Sequence, residues 1–172
     1  MRVCFVCSGN ICRSPTAEVV FRAQAEDAGY AVIVDSAGTG DWLPRGGEVS
    51  PREVPPSGDE MDRRSRATLL AAGYSPAHHA AKQFRADYFA ERDVVVALDS
   101  GHLAELRRLA AYADDPEAAR ASIVLLRDFD SAADVDDRDV ADPYYGGTRG
   151  FEDVLAQIQR ASAGLLAHVQ TG

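Results

Sequence analysis

The run RVCFVCSGNICRSP, residues 2–15, constrains this chain more than any other stretch. Residues 2–7 are apolar, β-branched or aromatic on both faces, as a strand inside a parallel sheet must be. They pass through SGN into ICRSP, where Ser14 suits an N-cap and Pro15 the first helical position. A helix is therefore expected over 14–28, with Glu18 in its first turn and Gly29 closing it. AVIVDS, 31–36, is the next strand, so the start of the chain reads as a βαβ unit.

The remaining pattern extends that unit. DVVVAL (93–98) and SIVLLRDF (122–129) read as two further buried strands, and 61–73, 100–113 and 151–169 as helices. The last helix carries Phe151, Val154, Leu155, Ile158, Leu165 and Leu166 on one side. Regular alternation of strand and helix predicts an open parallel α/β sheet. The 172 residues suit one domain spanning 1–172. PRGGEVSPREVPPSG, 44–58, is an irregular excursion within it, and 127–150 is a long acidic loop.

A net charge of −9 argues against a broad nucleic-acid footprint, which needs a basic face, but leaves room for a small basic pocket. No segment approaches the ~18 continuous apolar residues of a membrane span. The apolar start is too short for a signal peptide. The three cysteines, Cys4, Cys7 and Cys12, are odd in number and crowded together, which is no disulfide framework. They imply a reducing, cytoplasmic setting and a functional thiol, although export without a signal peptide is compatible with the sequence.

Ligands of such sheets sit at the carboxyl ends of strands, beside helix N-termini. Residues 7–14, CSGNICRS, occupy that place. A thiol, five residues and an arginine can curl into a ring with inward N–H groups, and Gly9 and Asn10 are the types that tolerate the left-handed conformations it needs. Inward amides and the helix dipole suit a tetrahedral oxyanion. Arg13 can clamp two of its oxygens in a fork. The same field favours an ionised sulfur at Cys7, with Ser14 donating a hydrogen bond to it. Attack on phosphorus through a phosphocysteine intermediate follows.

Competing readings are weaker. Cys4 and Cys7 have zinc spacing, but residues three apart on a strand face opposite sides and further ligands are missing. The nucleotide-binding GxxxxGK[ST] pattern is absent. Cys4 reads as core. Cys12 is either a resolving thiol that forms a reversible disulfide with Cys7 or a purely structural one. A general acid is also needed, and Asp142 of ADPYYGG stands out: Pro143 fixes its backbone, and two aromatics follow that can wall a ring-shaped substrate. Asp128, Asp130, Asp134, Asp136, Asp137 and Asp139 read as a solvated face or as helix caps.

VCFVCSGNICRSPTAE resembles the N-terminal signature of the bacterial low-molecular-weight protein tyrosine phosphatases, and DSAGTGDW, HAAKQF, LDSGHLAELRRL and DPYYGG resemble further blocks in order. The resemblance implies a three-layer, phosphatase I-like fold with a four-stranded parallel sheet in order 2-1-3-4. It implies Cys7 as nucleophile, Arg13 as clamp, and a phosphate-binding loop of Ser8, Gly9, Asn10, Ile11, Cys12, Arg13 and Ser14. It further implies loop support from Asn10, Ser36 and His79. Asp142 would protonate the leaving phenolate and then activate water, and Trp42, Tyr144 and Tyr145 would flank the cleft. The expected activity is hydrolysis of phosphotyrosine in proteins by a monomer, inhibited by phosphate and vanadate, with no metal or other cofactor. Leu43 stands where the family often has histidine, and 44–58 looks like an insertion. An arsenate reductase on the same fold would need more cysteines for a thiol relay, and a non-catalytic phosphotyrosine-binding module would need no nucleophile.

Overall fold

The computed structural model describes residues 1–40, 58–145 and 147–171. Trp42 and the excursion, up to residue 57, lie outside the described residues. Four parallel strands, β1 (Arg2–Cys7), β2 (Ile33–Gly38), β3 (Val94–Ala97) and β4 (Ile123–Leu125), form one sheet in the order β2-β1-β3-β4. The strand order implied by the resemblance is the one observed. Helices α1 (Arg13–Asp27), α2 (Arg63–Ala71), α3 (Ser100–Leu109), α4 (Pro116–Ala121) and α5 (Thr148–Thr171) pack around it.

The period of two in β1 sends its side chains into two cores. Val3, Phe5 and Cys7 join Val20 and Phe21 of α1 and Ile158 and Leu165 of α5. Phe5 and Phe21 meet edge to face, their centroids 5.4 Å apart. Cys4 and Val6 turn to the other side, with Val95, Leu106 and Phe89. Cys4 is thus a buried core residue on the face opposite Cys7, which removes the zinc pairing. The described residues contain no group of three or more His, Cys, Asp or Glu side chains placed to hold a metal, and no helix long and apolar enough to cross a membrane.

Several expected boundaries move. α1 starts at Arg13, and its N-cap is Cys12, which makes no side-chain capping bond; Ser14 lies inside the helix. The Ser14 hydroxyl is engaged instead by Cys7, so the first amides of α1 keep no side-chain cap. Glu18 falls beyond the first turn and reaches sideways to Ser36 Oγ at 2.6 Å. β4 is short because the chain winds into a 3₁₀ segment at Leu126–Phe129. Helix α4 was not expected, although Asp115 caps it and Pro116 opens it. Asp130 is no solvated carboxylate: it is buried and faces Arg160 and Arg127.

Candidate active site

β1 ends at Cys7, and the chain turns through residues 8–12 before α1. Around this turn the carbonyl oxygens are taken from outside. Cys7 O accepts from Thr39 N–H at 2.8 Å, Ser8 O from Gly40 N–H at 2.8 Å, and Ile11 O from Asp62 N–H at 2.8 Å. Asn10 O accepts from His79 Nε2 at 2.6 Å, and Cys12 O from the Thr16 hydroxyl at 2.8 Å. In a trans peptide the N–H points opposite the carbonyl, and none of the described peptide bonds is cis. Outward carbonyls therefore aim the amides of Ser8, Gly9, Ile11, Cys12 and Arg13 inward. This is a ring of donors at a helix N-terminus, the arrangement that holds a tetrahedral oxyanion.

One residue keeps the ring in shape. Asn10 is fully buried and has φ 53°, a left-handed value that asparagine accepts more readily than other side chains. Gly9, expected to share that conformation, does not adopt it. Asn10 Nδ2 donates to Ser14 Oγ at 3.0 Å and to Ser36 Oγ at 2.9 Å, and its Oδ1 accepts from Lys82 N–H at 2.9 Å. Asn10, Ser36 and His79 thus meet at the loop. At Gly38 a methyl group would overlap the Ser8 carbonyl oxygen, so only glycine lets β2 run this close.

The sulfur of Cys7 lies 2.9 Å from Ser14 Oγ. Since Asn10 donates to that hydroxyl, its one proton is available to Cys7 or to the Ala37 carbonyl at 3.3 Å. Arg13 is almost wholly buried and held by three acceptors. Nη1 donates to Asp99 Oδ2 at 2.7 Å and to Val140 O at 3.1 Å, and Nη2 to Asp142 Oδ2 at 3.1 Å. Asp142 is half exposed, and its other oxygen accepts from Tyr144 N–H at 3.0 Å. The sequence-expected nucleophile, clamp and acid are therefore brought together.

The loop that carries Asp142 is stitched to the end of β3. Val140 N–H donates to Leu98 O at 2.8 Å, Asp139 caps Ser100 at 2.7 Å, and Arg127 donates to Asp139 O at 2.8 Å. Beyond Asp142, Tyr144 is partly exposed and Tyr145 almost fully so, with their rings edge to face. Arg64 of α2 lies over the Tyr144 and Phe151 rings and donates to Tyr144 O at 3.0 Å.

Cys12 is buried beside Thr16, Ser65, Leu69, Pro143 and Phe151. Burial, aided by the charge of Asp62, pushes its thiol up to about 12. All three cysteines are free thiols.

Sequence reasoning missed Asp99. It lies two residues past the end of β3, and a carboxylate just beyond the carboxyl end of a buried strand was the available signal. Burial works to raise its carboxyl, but the His102 ring beside it, the hydrogen bond from the His102 backbone N–H and the Arg13 charge hold it well below the usual carboxylate range. Asp35 is held low in the same way, its burial outweighed by Arg92 and Lys82.

The family described as low molecular weight phosphotyrosine protein phosphatase matches residues 2–172. The chain belongs to that family. A low molecular weight protein-tyrosine-phosphatase of Streptomyces coelicolor is 50% identical over 171 residues, covering 98% of this chain and 93% of the relative. Low molecular weight protein-tyrosine phosphatase A of Mycobacterium tuberculosis is 41% identical over 167 residues, covering 96% of this chain and 89% of its own. Among solved structures, a protein tyrosine phosphatase of Entamoeba histolytica with Hepes in its active site superimposes with a TM-score of 0.84 at 29% identity, covering 100% of this chain and 98% of the other. A Bacillus subtilis protein, YfkJ, gives 0.81 at 31% identity, with 99% and 95% covered. The family membership that the N-terminal block and DPYYGG implied is the one found.

Proposed function

We propose that this phosphatase-family chain hydrolyses phosphotyrosine in proteins through a phosphocysteine intermediate. The phosphate dianion of the substrate seats on the inward amides of Ser8, Gly9, Ile11, Cys12 and Arg13, and Arg13 forks two of its oxygens. The Cys7 sulfur attacks phosphorus in line with the departing phenolate oxygen. The phosphorus–oxygen bond breaks as the phosphorus–sulfur bond forms, and Asp142 gives its proton to the phenolate. In the second half the Asp142 carboxylate takes a proton from water, whose oxygen attacks phosphorus. The phosphorus–sulfur bond breaks, inorganic phosphate forms, and Cys7 leaves as a thiolate that the Ser14 hydroxyl stabilises.

The observation that carries this reading is the Cys7 sulfur at 2.9 Å from a hydroxyl, at the head of a ring of inward amides, with Arg13 bridging towards Asp142. The names of the relatives support the same activity. Phosphotyrosine, with its long reach from backbone to phosphorus, fits a nucleophile that is itself buried. A thiol relay of the arsenate-reductase kind finds little support, because Cys4 lies on the opposite face of the sheet.

The test is hydrolysis of p-nitrophenyl phosphate and a series of aryl phosphates. Cys7→Ser is expected to abolish turnover while retaining vanadate binding, and Asp142→Ala to lower kcat most for poor leaving groups. Turnover of Cys7→Ser near wild type, or a uniform loss with Asp142→Ala across the series, would refute these assignments.

A further inference from the structure

Asp99 faces two ways. Its Oδ2 is 2.7 Å from Arg13 Nη1, while its Oδ1 accepts from the His102 backbone N–H at 2.8 Å and lies 2.9 Å, off axis, from His102 Nδ1. The His102 ring is buried, and its Nε2 is 2.8 Å from the hydroxyl of Ser8, an exposed residue on the rim of the phosphate loop. Four side chains from two neighbouring strand ends therefore form one continuous line, Arg13–Asp99–His102–Ser8. The line closes a circuit with the loop itself, because Ser8 and Arg13 are two ends of the same ring of amides.

We propose that Asp99 and His102 are positioning residues of the phosphate site: Asp99 sets the Arg13 clamp and the His102 ring together, and His102 anchors the Ser8 side of the loop. The inference rests on the phosphatase reading above. Three acceptors hold Arg13, but Asp142 must release it to protonate a leaving group, and the Val140 carbonyl carries no full charge. Asp99 is the charged partner that can stay through the whole cycle. Its carboxylate requires donors on both sides, and both sides supply them. His102 Nε2 and the Ser8 hydroxyl share one hydrogen bond, and the ring tautomer sets which of the two donates. An asparagine at position 99 has one donor and one acceptor end, so it can satisfy Arg13 or His102 but not both.

This arrangement differs from simple structural support in what it moves. Misplacing the clamp relative to a bound phosphate affects the transition state more than ground-state binding, and loss of the nearby negative charge partly offsets any loss of phosphate affinity. Asp99→Asn is expected to lower kcat for p-nitrophenyl phosphate by about tenfold or more while KM stays within about threefold. His102→Leu is expected to lower kcat severalfold. His102→Gln, whose side-chain amide reaches the place of Nε2 and can accept or donate there, should restore most of it. The double variant Ser8→Ala/His102→Leu should fall no further than His102→Leu, since both remove one contact.

Wild type and Cys7→Ser are measured alongside. An inactive wild type, or an active Cys7→Ser, sinks the phosphatase reading itself. If those controls behave, the relay alone is overturned by an Asp99→Asn kcat within about twofold of wild type, or by Ser8 and His102 losses that multiply independently. Should Asp99→Asn fail to fold, the Ser8/His102 cycle and the glutamine rescue decide the question.

Discussion

Replacing Asn10 by alanine removes a side chain that ties the turn after β1 to both β2 and the 79–84 segment. Two of its three side-chain hydrogen bonds end on hydroxyls that keep other partners, Ser14 at Cys7 and Ser36 at Glu18. Each such loss is worth about 0.5–1.5 kcal/mol. The third leaves the Lys82 backbone N–H without its acceptor, at about 1–3 kcal/mol. Holding alanine at φ 53° adds about 1–2 kcal/mol. Because water can enter the space left by the amide and bond Lys82, the expected loss is about 3–5 kcal/mol, a large part of an ordinary domain's 5–15 kcal/mol. Urea unfolding reads it, and aryl phosphate turnover should fall with it. Asn10→Gly separates the causes: it loses the same bonds but keeps the positive φ, so it should be about 1 kcal/mol more stable than Asn10→Ala. An Asn10→Ala protein within about 0.5 kcal/mol of wild type would refute the reasoning, since buried bonds of this number cannot vanish without effect.

Three further outcomes follow from the same contacts. Asp35 and Asp99 are both held low in the folded protein, so their stabilisation is complete above the unfolded carboxylate value near ~3.9 and is lost as pH falls through the folded values; unfolding free energy should drop steeply below about pH 4, and Asp35→Asn should flatten that slope. Cys12, with its thiol pushed up to about 12, should resist iodoacetate in the folded protein at pH 8 while reacting once the chain is unfolded in urea, as peptide mass spectrometry would report; ready modification of the folded form would contradict its burial. Arg64→Ala removes the bond to Tyr144 O and the stacking on Tyr144 and Phe151, so kcat for poor leaving groups should fall severalfold with little change in vanadate affinity; equal losses across all leaving groups would separate Arg64 from the Asp142 loop.

Much of the site was legible because it is local. Cys7, Arg13 and Ser14 sit in one short loop, where spacing alone sets which groups can converge. The errors were also local and have a common cause. Ser14 looks like an N-cap by residue type, yet the Cys7 sulfur claims its hydroxyl, and the cap passes to Cys12. Gly9 looks like the left-handed residue, yet Asn10 takes that conformation because its amide reaches three partners there. Competition for a hydrogen-bonding group is invisible until all claimants are placed.

The sequence by itself determined the strand–loop–helix order, the two-sided burial of β1 and which side chains residues 7–14 bring into one loop, since each depends on neighbours only a few positions apart. Only the tertiary structure decided that Asp99 meets Arg13 across 86 positions and that His102 meets Ser8 across 94. Those meetings depend on β3 lying beside β1 in parallel register, so that both strands release their loops at the same edge of the sheet. Strand adjacency is settled by packing of the whole core, and no short window of residues contains it.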